Sequence, residues 1–293
     1  MAPGRERHDS MIDDSLRAIV SDLDPLIITA PTIRSGTTLL QRLMCSSRKA
    51  LIYGELCAQD LEIFLNFYTF KSQQYACRRE EVSTSLRKVL AGDVNDWIPT
   101  LMPDVSEYLK AMGCAAFSGI SYCRAYAIQA GRPVWGFKHP AWSPATIRLL
   151  RAVMPRSRFV FIHRELKDCL KSAKAQAITY GSSYSKQEVE EFCRAWNENQ
   201  SFMRSLNSEA TVLSMDYDDL VREPRATLAK LAEFTGLDDM NPDVLNHKIN
   251  AWKGEDYVMQ EKNGYFEPSD LDEFDWQIVN ATSASVSERP RAH

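Results

Sequence analysis

Apolar and polar positions fall along this chain in blocks whose period switches repeatedly between strand-like and helix-like. Short, nearly uninterrupted apolar runs occur at Leu26–Ala30, Leu51–Tyr53, Val134–Lys138, Arg158–His163 and Ala210–Met215. Runs of that length and composition read as strands buried on both faces. Between them the spacing becomes helical, at about Thr37–Ser46, Pro144–Val153, Leu166–Ala177, Lys186–Leu206 and Pro224–Thr235. From Asp60 to about Ala130 the pattern is mainly helical, with i, i+3, i+4 repeats in Glu81–Leu90 and Val105–Met112. Strands alternating with helices predict an α/β fold, a three-layer αβα sandwich around a central parallel sheet. A short helix at Ser15–Ser21 is expected before the first strand. Residues 1–14 read as a flexible lead-in, residues 15–278 as the folded domain, and the small polar run 279–293 as a disordered tail.

Composition narrows the function classes. The 293 residues are 44% hydrophobic and 25% charged, the balance of an ordinary soluble globular protein. A formal net charge of −4 argues against a general nucleic-acid binder, which would carry a basic excess, yet allows a local cationic pocket. No run reaches the roughly 18 apolar residues of a membrane span, and the polar N-terminus lacks a signal-peptide core. Seven scattered cysteines without a CxxC pair point to reduced thiols and a cytoplasmic protein. The five histidines are also scattered, so no metal is assigned.

The segment from Pro25 to Leu40 carries the strongest chemical signal. An apolar strand runs into Arg34-Ser35-Gly36-Thr37-Thr38 and then a helix. That order presents free backbone N–H groups and a positive helix end to an anion. Gly36 allows close approach, the hydroxyls of Ser35, Thr37 and Thr38 add donors, and Arg34 adds charge. The loop departs from GxxxxGK[ST], because Gly36 stands where that motif has lysine, and magnesium-assisted phosphoryl transfer is correspondingly weakened. A second arginine, Arg164, closes the run Arg158–His163, and Ser172 follows eight residues later. Strand carboxyl ends are where open α/β sheets bind ligands, and an arginine with a hydroxyl suits a second phosphate.

The two elements together resemble the sulfotransferases that use 3'-phosphoadenosine 5'-phosphosulfate (PAPS) and release the bisphosphate PAP. The resemblance implies a P-loop-like fold in which Arg34, Ser35, Gly36, Thr37 and Thr38 grip the 5'-phosphosulfate. It also implies that Arg164 and Ser172 bind the 3'-phosphate. Val212-Leu213-Ser214-Met215-Asp216-Tyr217-Asp218-Asp219-Leu220-Val221, with Pro224 after it, is similar to the family's strand–YEDL segment and makes Tyr217 a nucleotide contact. Gly54-Glu55 lies 21 residues after Arg34. That is the position of the glutamate base in the branch that includes protein-tyrosine sulfotransferases, the closest in motif pattern. Lys138 in Lys138-His139-Pro140 matches the family's K-x-P lysine, which approaches the bridging oxygen of the leaving phosphate. His139 ranks second to Glu55 as base, or serves as an acceptor contact, since alternation along a strand end turns it away from Lys138. Gln176 departs from the pattern where that branch has a basic residue. Lys253 and Lys262 remain alternatives for a lysine closing over the donor.

The function expected is transfer of a sulfonate group from PAPS, without a metal, to a hydroxyl or amine of a small metabolite or natural product. Arg34, Lys138 and Glu55 would be the catalytic groups. Sulfation of a protein tyrosine is the alternative within the class. A P-loop small-molecule kinase and a non-catalytic nucleotide-binding module are the alternatives outside it. The expected partner is the small-molecule acceptor, with the aromatic-rich helical insertion 60–130 forming the acceptor side; no nucleic acid or membrane is expected, and homodimerisation is left open.

Overall fold

A computed structural model describes residues 20–95, 97, 101–246 and 270–287. Five strands, β1 (Leu26–Thr29), β2 (Ala50–Tyr53), β3 (Val134–Lys138), β4 (Arg158–His163) and β5 (Val212–Asp216), make one sheet in the order β2-β3-β1-β4-β5. Every pairing is parallel, with Leu26 opposite Gly136 on one side and Arg158 on the other. The helices are α1 (Thr37–Cys45), α2 (Glu55–Ala76), α3 (Arg79–Leu90), α4 (Val105–Gln129), α5 (Pro144–Val153), α6 (Leu166–Thr179) and α7 (Lys186–Ser205). They continue with α8 (Tyr217–Arg222), α9 (Pro224–Thr235) and α10 (Glu273–Ser287), with a 3-10 turn at Pro242–Asn246. The central parallel sheet flanked by helices is the αβα architecture read from the period changes.

The chain divides into two compact units. One comprises Leu56–Tyr126, Ala145–Ser157 and the residues before Pro25. It is helical and has a small core in which Val82, Val105 and Leu109 pack with Tyr75 and Met102. The other holds the sheet, residues 25–55, 127–144 and 158 onward. There, strand alternation assigns each side chain its layer. Leu26, Ile28, Ile52, Val160 and Ile162 join Leu40 and Leu43 of α1 and Leu231 of α9 in one apolar cluster. The intervening Ile27, Phe137, Phe159 and Phe161 are fully buried as well. With both faces covered, β1 to β4 have no solvent side to mark with polar residues, which explains their uninterrupted apolar runs.

The C-terminus departs from the expectation of disorder beginning at residue 279. Helix α10 continues to Ser287, and Val279 is buried with Leu271 against Leu166, Leu170 and Trp196 of α6 and α7. Its start is built by a reciprocal cap, in which the Asp275 N–H donates to Asp272 Oδ1 (2.8 Å) and the Asp272 N–H to Asp275 Oδ2 (3.1 Å). Asp275 also pairs with Lys174 of α6, at side-chain exposures of 2% and 17%. The Ala/Ser-rich second half has no amphipathic stripe of its own, so its order comes from docking. The expected lead-in 1–14 lies outside the described residues, as does most of the helix expected at Ser15–Ser21. Among the described residues no helix is long and apolar enough to cross a membrane.

Asp275→Ala leaves the partly buried Lys174 ammonium without its carboxylate and removes the cap of α10, and should cost about 2 kcal/mol of unfolding free energy. Chemical denaturation checks this, and a loss below about 1 kcal/mol would mean that the pair sits in effectively aqueous surroundings.

Candidate active site

Three cationic side chains converge because three neighbouring strands end on the same edge. β3, β1 and β4 lie side by side, and their carboxyl ends carry Lys138, the loop with Arg34, and Arg164. In open α/β sheets the point where the strand order reverses, here beside β1, marks the ligand crevice. Arg34 adopts φ +67° and Gly36 φ +95°, so the chain turns sharply before α1 begins with its N–H groups toward the crevice. A Cβ at Gly36 would collide with the Tyr217 ring, so glycine is required there by space as well as by conformation.

Lys138 Nζ donates to Thr38 Oγ1 (3.1 Å) and to Glu55 Oε1. The Lys138 side chain is only 5% exposed, whereas that of Glu55, the first residue of α2, is 48% exposed. A buried ammonium thus fixes one carboxylate oxygen while the rest of the carboxylate reaches solvent. Arg34 Nε donates to Ser172 Oγ (3.0 Å), and Arg164 Nη1 donates to the Arg34 carbonyl (3.0 Å). The Arg164 guanidinium also stacks over Tyr217, 4.5 Å from the ring centre. Burial, and then the charge of Arg164, pushes the Arg34 guanidinium below its ordinary pKa. Arg164 makes no ion pair among the described residues, and its buried Nε finds no hydrogen-bond partner there.

Arg34, Gly36, Thr38, Glu55, Lys138, Arg164, Ser172 and Tyr217 are brought together, though not all in the expected roles. The Ser35 hydroxyl does not face the crevice; it donates to the Thr32 carbonyl (2.9 Å) and lies against Cys169 Sγ (3.4 Å). Ser35 can therefore offer an anion only its backbone N–H, while Thr37, at the start of α1, is also buried. His139 is stacked on Trp142, 5.3 Å between ring centres and 16° between planes. Lys253 and Lys262 lie outside the described residues. Among the described residues no group of His, Cys, Asp and Glu is arranged to hold a metal.

Helix α7 supplies support that the motifs did not reveal. Trp196 Nε1 donates to the Arg164 carbonyl (3.2 Å), and Asn199 Nδ2 donates to the Pro31 carbonyl (2.8 Å). Gln200 donates its amide nitrogen to His163 Nδ1 (2.6 Å) and accepts from Arg204 (3.0 Å); the opposite amide orientation would set donor against donor. The legible signal was Asn199-Gln200 interrupting the buried stripe Val189, Cys193, Trp196, Met203. Amides in the middle of an apolar stripe are there to satisfy backbone or side-chain groups.

Gly36→Ala should abolish anion binding and lower the melting temperature, because strain at positive φ adds to displacement of Tyr217. Retention of both would show that the ring yields freely. Burial lowers the pKa of His163 from its ordinary 6.5, so the folded state resists protonation. Stability is then complete above pH 6.5 and declines as pH falls below it, because only the unfolded chain takes up the proton readily. Denaturation midpoints of wild type and His163→Gln, measured from pH 5 to 8, should differ in acid slope and converge in shape above neutrality.

Residues 25–242 match the sulfotransferase family. No curated protein sequence matches the chain. The sulfotransferase domain of the olefin synthase of Synechococcus PCC 7002 is 16% identical, over 89% of this chain and 94% of that one, with a TM-score of 0.48. A sulfotransferase domain from the curacin biosynthetic pathway is 14% identical, over 89% and 98%, with a TM-score of 0.46. Mouse sulfotransferase SULT7A1, solved with PAP, is 11% identical, over 97% and 73%, with a TM-score of 0.41. With about three quarters of its length matched, from the first strand to beyond α9, the chain belongs to the sulfotransferase family.

Proposed function

We propose that this protein transfers a sulfonate group from PAPS to a hydroxyl of a small-molecule acceptor, with Glu55 as general base. The observation that carries the reading is the convergence of Arg34, Lys138 and Arg164 around a helix N-terminus, with a carboxylate tied to the same lysine. The residues fit a doubly phosphorylated donor. A glycine cradle that a Cβ would fill, a buried Arg164 Nε without a partner and the Arg34–Ser172 pair provide separate grips for two anionic groups.

When bound, PAPS supplies an activated sulfonate on a good leaving group. The N–H groups at the start of α1, with Arg34, hold and orient the phosphosulfate end, and Arg164 with Ser172 takes the 3'-phosphate. Lys138, whose side chain is 5% exposed, would stabilise the negative charge that grows on the leaving oxygen as the S–O bond breaks. Thr38, already bonded to Lys138, keeps that ammonium directed at the loop. Glu55 accepts the acceptor's proton as its oxygen bonds to sulfur. The Lys138 bond holds this carboxylate in place while its half-exposed side chain remains reachable. A proton thus passes to Glu55, the new O–S bond replaces the old one, and the electron pair of the broken bond leaves on the nucleotide phosphate.

PAP should raise the melting temperature strongly, whereas ATP and GTP should not, because only ligand bound to the folded state stabilises it. Glu55→Gln should lower kcat roughly 10²–10⁴-fold and leave the PAP shift intact. Lys138→Met should lower it about 10²–10³-fold. Full sulfonation activity in both variants would overturn the assigned roles, and magnesium-dependent ATP turnover would replace the reaction class.

A further inference from the structure

Beyond Ser172, the next turns of α6 open onto a cavity of about 310 Å³ that neither phosphate grip uses. Ala173, Gln176, Ala177, Tyr180, Tyr184 and Glu188 line it, together with Ser182 and Ser183. It adjoins the donor site: Ser172, one residue before Ala173, accepts a hydrogen bond from Arg34. The volume lies at the lower end of small-molecule sites, about 300–1,000 Å³. Its chemistry is unusual for such a site, since hydroxyl, phenol and amide groups replace the customary apolar wall.

Resting on the sulfotransferase reading above, we infer that this cavity is the acceptor subsite and that its acceptor is a small hydroxylated amine, of the amino-alcohol or amino-sugar kind. Glu188 is the one formally charged residue among those lining the cavity. Its Oε2 is occupied by the N-cap of α7, accepting from the Ser185 N–H (2.8 Å) and Oγ (2.7 Å), and these bonds hold the carboxylate ionised. The carboxylate therefore stays fixed and negative at the rim, where it attracts an ammonium and repels a carboxylated acceptor. Tyr184 is held from the other side by an edge contact with Phe192, 6.2 Å between ring centres. Burial and the neighbouring Glu188 raise its pKa, so it remains a neutral hydrogen-bond donor. Ala173 and Ala177 add little bulk to the lining, and its polar groups suit an acceptor with several hydroxyls better than a planar apolar one.

The test is a sulfonation panel with PAPS: glucosamine and a linear amino alcohol, 2-naphthol as the apolar phenol, and 4-hydroxybenzoate as the anionic one. The amines should be turned over at least about tenfold more efficiently than the other two. Glu188→Gln, which retains a capping-box side chain, should raise KM for the amines about tenfold and leave the PAP thermal shift unchanged. Ala177→Phe, which puts a ring into the cavity lining, should abolish acceptor turnover while PAP still binds. If the Phe variant fails to fold, Glu188→Gln together with dialysis of glucosamine against PAP-loaded wild type decides. Preference for 2-naphthol, unchanged KM in Glu188→Gln, or no glucosamine binding or turnover overturns the inference while leaving the donor site standing. A missing PAP shift would instead remove the sulfotransferase reading beneath it.

Discussion

Parallel pairing makes every strand of a sheet deliver its carboxyl end to the same edge, and the chemistry of this protein depends on that constraint. β3, β1 and β4 are adjacent, so the residues that leave them must share one crevice whatever their distance in sequence. Lys138, Arg34 and Arg164 are the residues placed there, and their separation along the chain, 104 residues from Arg34 to Lys138 and 26 more to Arg164, is irrelevant to their proximity. Antiparallel strands would have sent neighbouring ends to opposite edges and dispersed the charge.

Concentrating cations in a partly buried site is unfavourable unless something offsets it, and the protein offsets the two halves differently. Lys138 is nearly inaccessible, a position that costs an unpaired ammonium several kcal/mol, and Glu55 with Thr38 supplies the partners. The guanidinium half is held by neutral groups as well: Arg34 donates to the Ser172 hydroxyl, and Arg164 donates to the Arg34 carbonyl and lies over an aromatic face. Tyr217 serves both tasks, filling the space that Gly36 vacates and supporting Arg164 from below.

The fold was legible because its strands are short, apolar and separated by helical spacing, and the observed strands agree with the expected ones to within two residues at either end. The principal site residues were legible for a related reason. Arg34, Glu55, Lys138 and Arg164 each sit at the end of an apolar run, a position readable without knowing the tertiary contacts. What escaped was set by packing. Ser35 lies within a loop rich in donors, and only the neighbouring Cys169 and Thr32 decide that its hydroxyl turns inward. The order of α10 comes from a buried pair with Lys174, about 100 residues earlier in sequence, which no local pattern could announce. Helix α7 reads as an amphipathic segment until its amides are seen against the Pro31 carbonyl and His163.

The central place of β1 has a further consequence, for the order in which the molecule can assemble. β1 is the first strand of the chain, yet its neighbours are the third and fourth, so Leu26 waits for Gly136 and Arg158. During synthesis its wholly buried Leu-Ile-Ile-Thr segment must remain unpaired until more than 100 further residues have been made. Such non-local closure slows folding and exposes adhesive edges in the interval. The anion loop that follows β1 can therefore take shape only late, after β4 has docked, and a nascent or truncated chain ending before β4 carries the loop's sequence without its grip.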